Sequence, residues 1–404
     1  MKIVMANNYY YLRGGSERVM FDEIDGLRAL GHEIFPFSRQ HHANLIDSPF
    51  FVSHLELSDR MSVTQKLNAA RRIIYSGETV RKLSALLKES EAEVVHGHNI
   101  YGGLSFSAVA AAKKRKVPFV LTLHDYKLIC PSYLMLHDGH PCRQCLTKGY
   151  SCCTFKRCHK GSFSASLINT AEMYTARYSG LLGRIAAYIC PSRFIRAAFL
   201  DAGFPERKLI YLPNALRLEN FVPDYEHREY VLFAGRLSPE KGVKTLLKAL
   251  ATLELPVRIV GTGPLEAECR TLGETLPQVK FEGYCSGETL ADLYRHAALL
   301  VVPSEWYENA PMSILEAFAY GKPVIGSRIG GIPELIEDGV DGALFTPGNY
   351  EELAAVLQTW WGNAGLLASA GAAARRKMEE KFHFSGHLSR LEELYRQVVT
   401  EAKP

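Results

Sequence analysis

Nowhere in the 404-residue chain is there a run of the about 18 apolar residues that a helix needs to span a bilayer. Met1-Lys2-Ile3-Val4-Met5-Ala6 enters a strand pattern at once, without the long apolar stretch of a secretory leader, so a cytoplasmic location is expected. Charge of one sign is also lacking: 47 Lys and Arg stand against 43 Asp and Glu, a formal net charge of +4. Such a mild excess permits an anionic ligand without demanding a polyanion. No basic stretch is interleaved with aromatics in the way of nucleic-acid modules, so no nucleic-acid partner is expected. No short internal repeat implies a solenoid.

What is present is an ordinary globular composition, 47% hydrophobic and 22% charged, in a chain long enough for two domains with separate cores. Short apolar strands alternate with longer helical patterns, which predicts parallel sheets covered on both faces. The first series is 2–6, 33–37, 94–97, 119–123 and 187–190; the second is 230–234, 257–260, 279–282, 299–302 and 323–325. Cys190-Pro191-Ser192 and Val302-Pro303-Ser304 end strands of the two series alike. The series predict an α/β chain of two doubly wound domains, residues 1–212 and 213–384. Turn-formers and charges between Pro213 and Arg228 mark the connection.

The most informative stretch runs from Pro303 to Ile325. An apolar run from Ala297 to Val302 reads as a buried strand, Pro303-Ser304 closes it, and Ile314 to Tyr320 reads as a helix ended by Gly321 and Pro323. A helix start offers unused N–H groups and the positive end of its dipole to an anion. Glu308 precedes that start and Glu316 lies about one turn inside it, where carboxylates can reach hydroxyls on either side of a bound phosphate. By spacing alone the two could equally be solvated helix-end charges.

Context lifts this reading. The stretch resembles the paired-glutamate region of retaining glycosyltransferases of family 4. Gly235-Arg236-Leu237-Ser238-Pro239-Glu240-Lys241-Gly242, Val260-Gly261-Thr262-Gly263-Pro264 and Val279-Lys280-Phe281-Glu282-Gly283-Tyr284 resemble three further motifs of that family, in its order. The resemblance implies a GT-B fold, two Rossmann-like domains facing a central cleft, with a nucleotide-diphosphate sugar (a UDP- or GDP-sugar) as donor and a saccharide as acceptor. It implies that Arg236 and Lys241 grip the diphosphate, that Glu308 touches the donor sugar and that Glu316 binds ribose. Gly261, Gly263 and Tyr284 would border the nucleotide, and the backbone at Asn309, Ala310, Met312 and Ser313 would meet phosphate. Many relatives have Gly-Phe-Gly where this chain has Asn-Ala-Pro-Met-Ser, and Pro311 has no N–H to give. No aspartate-rich motif for a catalytic cation is found, so a divalent metal is not expected to be required for catalysis. The resemblance also implies that residues 385–404 form a helix returning to the first domain.

In the first domain, Gly14-Gly15 sits between a strand and a helix and can bring backbone amides to an anion, the plainer alternative being a helix start capped by Ser16. His124, at the end of a strand and beside Asp125, is given the donor sugar or its phosphate by the resemblance, with Asp125 orienting the imidazole or holding the loop. His96 and His98 end the preceding strand and are weaker candidates.

Six of the nine cysteines, Cys130, Cys142, Cys145, Cys152, Cys153 and Cys158, fall in an insert of about residues 130–160. Reduced thiols at such spacing favour a metal over a disulfide framework. Cys142, Cys145, Cys153 and Cys158 are expected to hold a structural zinc ion, an iron–sulfur cluster being the alternative. Cys130 or Cys152 can substitute for one ligand, and His137, His140 and His159 lie near in sequence.

Residues 65–88 read as a basic helical stretch interrupted by Gly77, either a core helix with a solvated basic face or a surface for an anionic membrane carrying lipid-linked acceptors. A peripheral contact with the inner membrane follows from the second reading. The resemblance as a whole implies transfer of a sugar to a glycan or lipid-linked saccharide in bacterial surface polysaccharide synthesis. Readings of other classes are a sugar-nucleotide epimerase or hydrolase and a non-catalytic sugar-nucleotide binder.

Overall fold

The computed structural model describes residues 1–55, 62–226 and 228–402; His227, in the expected linker, and the last two residues of the expected terminal helix lie outside them. Its strands are β1 (Lys2–Ala6), β2 (Glu33–Phe37), β3 (Val94–Gly97), β4 (Phe119–Thr122), β5 (Leu136–His137), β6 (His140–Pro141), β7 (Ile185–Cys190) and β8 (Leu209–Tyr211). There follow β9 (Tyr230–Ala234), β10 (Val257–Val260), β11 (Val279–Gly283), β12 (Ala297–Val302), β13 (Val324–Ser327) and β14 (Gly342–Phe345).

The chain divides into two units, one of residues 1–137, 142–212 and Leu388 onward, the other of 138–141 and 213–387. The first contains a parallel sheet in the order β2-β1-β3-β4-β7-β8 and the second one in the order β11-β10-β9-β12-β13-β14. Both are Rossmann-like. The apolar runs follow from this: β3, β4 and β12 are buried at every residue, because a parallel sheet is covered on both faces by the helices of its crossovers. In the second unit the helices Met312–Ala319 and Ala364–Lys381 put Ile314, Phe318 and Met378 into one core cluster, while Val243–Leu250 puts Leu246 and Leu250 into another.

Each sheet has a switch point, where the chain leaves two neighbouring strands in opposite directions. It lies between β1 and β3 in the first unit and between β9 and β12 in the second. The carboxyl ends of strands at such a point leave a crevice where ligands bind.

Residues 65–88 are not one interrupted helix but two, Val63–Ile74 and Gly77–Ser90. The break falls at Tyr75-Ser76, because Ser76 Oγ accepts from Thr79 N and starts the second helix; Gly77 is its first residue. No helix among the described residues is long and apolar enough to cross a membrane.

Candidate functional site

In the second unit the chain leaves β9 through Gly235-Arg236-Leu237-Ser238 into a single 3-10 turn, Pro239–Lys241. Gly242 follows at φ +67°, and a Cβ built there would lie 1.7 Å from the Pro303 carbonyl oxygen. Only glycine lets this turn press against the loop that leaves β12. Glu305 N donates to Glu240 O at 2.9 Å, tying the two loops together.

The consequence is a pair 67 residues apart in sequence: Lys241 Nζ donates to Glu308 Oε1 at 2.6 Å. Ser304 Oγ donates to the same oxygen at 2.7 Å, and the Lys241 ammonium stands 5.4 Å over the Trp306 ring. Glu308 is only 4% exposed. Burial pushes its carboxyl up, but the Lys241 charge and the hydrogen bonds from Lys241 and Ser304 outweigh that and hold it below the usual carboxylate range. It is therefore ionised at neutral pH.

Beyond Glu308 the helix Met312–Ala319 begins after Pro311 with no side-chain cap. The Met312 and Ser313 amides have no acceptor among the described residues, and both residues are half-buried. These are the orphan donors of a helix start, open to an anion. Asn309 is buried, and the Ala310 carbonyl accepts from Asn214 Nδ2 at 3.4 Å. Glu316, one turn inside, accepts from the hydroxyl of buried Tyr294 at 3.1 Å, and that ring stacks on Tyr320. Arg236 is exposed, with no ion-pair partner among the described residues. Tyr284 is 71% exposed.

Gly261 and Gly263 are expected to border the nucleotide. Their close approach is to the protein's own backbone: a Cβ on Gly261 would lie 2.0 Å from Gly235 O, and one on Gly263 2.3 Å from Leu237 O. They dock the loop after β10 onto the loop that carries Arg236, with Leu237 N donating to Thr262 O at 3.0 Å.

In the first unit, Gly14 precedes the helix Gly15–Ala29 and supplies no side-chain cap. Ser16 is not the cap; its hydroxyl accepts from Asn99 Nδ2 at 2.7 Å. Glu17, buried in the first turn, accepts from Asn7 Nδ2 at 3.3 Å. The positive end of this helix is thus already met by a carboxylate.

His124 follows β4, and its partner is not Asp125. Its Nε2 lies 2.9 Å from His98 Nδ1 with the rings stacked, and His98 Nε2 lies 3.5 Å from Glu23 Oε2. Asp125 instead accepts from Lys127 N at 2.9 Å. Position along the chain favoured the adjacent acid, whereas the sheet places the end of β3 beside the end of β4. Glu23, His96 and His98 offer three ligand atoms within 4.8 Å of one another. They read as a hydrogen-bonded network, because His96 already places one ring nitrogen 2.7 Å from Tyr395 Oη and the other 2.7 Å from Thr122 Oγ1. Sequence reasoning missed Glu23 and Tyr395, since nothing local marks them.

Burial pushes His124 down to about 4, so it is neutral at pH 7, and burial pushes Asp125 up to about 6 despite Lys127. A carboxyl raised on folding contributes stability below its unfolded value of 3.8 and loses it as pH rises through about 6. Asp125→Asn keeps an acceptor for Lys127 N and removes the buried charge. It is expected to stabilise the fold by about 1–2 kcal/mol at pH 8 and by about half as much at pH 5, falling to nothing below pH 3, as measured by urea unfolding across that range.

The insert's six cysteines lie in the first unit, and its residues 138–141 are grouped with the second. Cys130 Sγ lies 3.2 Å from Ser132 Oγ, and Cys158 Sγ lies 4.0 Å from His137 Nδ1. Among the described residues, no three of these cysteines bring their sulfurs within 4.8 Å of one another. Cys142 makes no side-chain hydrogen bond among the described residues and stands on a turn whose N–H donates to Met135 O at 2.7 Å.

Two Rossmann-like domains, one holding a lysine–carboxylate pair beside an uncapped helix start, define the chain as a GT-B protein. Residues 13–220 match the sequence model described as Glycosyltransferase Family 4, and residues 218–377 match that described as Glycosyl transferases group 1. The chain belongs to glycosyltransferase family 4. It is 32% identical over 297 residues to a sulfoquinovosyl transferase of Arabidopsis thaliana, covering 71% of this chain and 53% of that one. It is 29% identical over 229 residues to an amylovoran biosynthesis glycosyltransferase of Erwinia amylovora, covering 52% of this chain and 56% of that one. The chain thus spans about half the length of these two relatives. HepE of Anabaena, solved with UDP-glucose, superimposes with a TM-score of 0.68 at 18% identity, covering 98% of this chain and all of that one, a likeness of fold.

Proposed function

We propose that this protein is a retaining glycosyltransferase that moves a sugar from a UDP- or GDP-sugar to a glycan or lipid-linked saccharide in bacterial surface polysaccharide synthesis. The observation that carries the reading is the buried, ionised Glu308 held by Lys241 at the switch point of the second sheet, next to the unused amides of Met312 and Ser313. As the bond to the nucleoside diphosphate breaks, negative charge grows on the phosphate and positive charge on the anomeric carbon. Groups fixed around both favour the transition state over the ground state. Arg236, Lys241 and the two amides are assigned to the diphosphate, Glu308 to the donor sugar, Glu316 to ribose and His124 to the sugar or its phosphate. Retention follows if the leaving phosphate takes the acceptor's proton on the face from which it departs. No divalent cation is needed in this scheme.

Membership of family 4 and the likeness to the amylovoran protein support a polysaccharide role. For a lipid-linked acceptor, the helix Val63–Ile74 exposes Val63 and Leu67 beside exposed Lys66 and Arg71, a surface suited to an anionic bilayer. The test is a screen of UDP- and GDP-sugars with and without saccharide acceptors, read by nucleotide release. Release that needs both a single nucleotide type and an acceptor is expected. Turnover of donor without any acceptor would favour an epimerase or hydrolase, and tight binding without release would favour a non-catalytic binder.

A further inference from the structure

The transfer scheme gives His124 a role and leaves the buried groups behind it without one. In the first sheet β1, β3 and β4 are neighbours, and the helix Gly15–Ala29 follows β1. Glu23 from that helix, His98 one residue past β3 and His124 two residues past β4 thereby meet near the switch point. Glu23 is 1% exposed and His98 0%, whereas His124 is half-buried. The line runs from the interior toward the carboxyl ends of the strands, where ligands of such sheets bind.

Hydrogens along this line have few places to sit. A carboxylate has none to give, so with Glu23 Oε2 3.5 Å from His98 Nε2 the favoured place for the His98 proton is Nε2. A neutral imidazole carries a single N–H, so His98 Nδ1 is then an acceptor. It lies 2.9 Å from His124 Nε2, which makes that nitrogen the donor of the contact. His124 is neutral at pH 7, because burial holds it at about 4, so its other nitrogen, Nδ1, is bare. Glu23 Oε2 also lies 3.6 Å from His96 Nδ1, but His96 sets no direction of its own. Its ring nitrogens meet the hydroxyls of Tyr395 and Thr122, which rotate to suit either tautomer.

We propose that Glu23 and His98 are positioning residues that fix the tautomer of His124, so that its bare Nδ1 accepts a hydrogen bond from a hydroxyl of the donor sugar. The inference rests on the reading of the protein as a glycosyltransferase and narrows the place of His124. A bare, neutral nitrogen accepts from an O–H and has no hydrogen to offer a phosphate oxygen. Carboxylates hold histidines in one tautomer in the same way in hydrolytic triads and around bound metals. Without the line, the His124 ring is free to turn or to take the other tautomer, which costs orientation at the sugar.

The test has two arms. In the unaltered protein with isotope-labelled histidine, NMR should show the His124 hydrogen on Nε2, a coupling across the hydrogen bond to His98 Nδ1, and a bare His124 Nδ1. The signals are assigned with His124→Gln. Glu23→Gln, whose amide has hydrogens to give, should weaken that coupling and mix the tautomers. In nucleotide release, His98→Leu should lower kcat by about 10- to 100-fold. His98→Asn, whose oxygen takes the place of Nδ1, should recover most of it, and titration with UDP and GDP should show unchanged affinity in both variants. A His124 hydrogen on Nδ1, hydrogens on both His98 nitrogens, equal loss of rate in the two His98 variants, or a loss of UDP or GDP affinity that matches the loss of rate would overturn the inference. Should the variants fail to fold, the spectrum of the unaltered protein decides. The expected tautomers in a protein that transfers no sugar would instead overturn the transferase reading and leave the Glu23–His98–His124 line standing.

Discussion

Glu308→Gln is expected to reduce nucleotide release by about 100- to 1,000-fold while leaving the melting temperature nearly unchanged. The substitution keeps the shape and the acceptor for Ser304 and removes only the charge. Lys241, whose side chain retains 27% exposure, stays solvated when its partner becomes neutral, so folding loses little. Lys241→Met acts differently, because it strands the Glu308 carboxylate in a buried place. A similar loss of rate is expected, with about 1–3 kcal/mol of destabilisation at pH 7. The sign of its pH dependence follows from Glu308. A carboxyl held low on folding contributes stability above its unfolded pKa and loses it as pH falls through the folded one. The gap between Lys241→Met and the unaltered protein should therefore be wide at pH 7 and close below the ordinary carboxylate range. Nucleotide release and urea unfolding read the two effects separately. Normal release in both variants would remove Lys241 and Glu308 from the site.

Gly242→Ala should be the most destabilising single methyl in the second unit. It combines a left-handed backbone, φ +67°, with a Cβ placed 1.7 Å from a carbonyl oxygen that is itself backbone and cannot swing aside. About 1 kcal/mol for the first and 1–3 for the second give an expected loss of about 2–4 kcal/mol. Gly339→Ala is the control: φ is +80°, but nothing lies within 4 Å of the added atom, so only the backbone penalty remains. The difference between the two, measured by denaturant unfolding, isolates the contact between the loops after β9 and β12. Because that contact places Lys241 on Glu308, Gly242→Ala should also weaken nucleotide binding more than Gly339→Ala does. Equal effects of the two substitutions would mean that the loop contact carries no weight.

Much of the architecture was legible because a doubly covered parallel strand has to be apolar throughout. β1, β2, β3, β9 and β10 occupy the bounds their apolar runs predict. β8, with three residues, and β14, with four that begin on Gly342 and stop before Thr346-Pro347, carry too short a pattern to stand out from loop. The helix predicted from Ile314 begins at Met312, since Pro311 fixes an extended approach and the following residues enter the helix without a polar cap to announce it. Around the site, spacing named Lys241, Glu308 and Glu316, but Tyr294 behind Glu316 lies 22 residues earlier on another helix. The glycines of the loop after β10 were legible as a tight place, not as a place filled by Gly235 and Leu237.

By itself the sequence determined which residues are chemically equipped: a lysine after a strand, a glutamate before a helix, a histidine at a strand end, six clustered thiols. It also determined the two sheets, through periodicities that local sterics and burial impose. Only the tertiary structure decided partnership. Sheet order set β9 beside β12, so that Lys241 found Glu308, and β3 beside β4, so that His124 found His98 and not its neighbour Asp125. The physical reason is common to both: hydrogen-bond and ion-pair energies fall off over a few ångströms of space, and strand pairing, not chain adjacency, fixes which side chains come within that range.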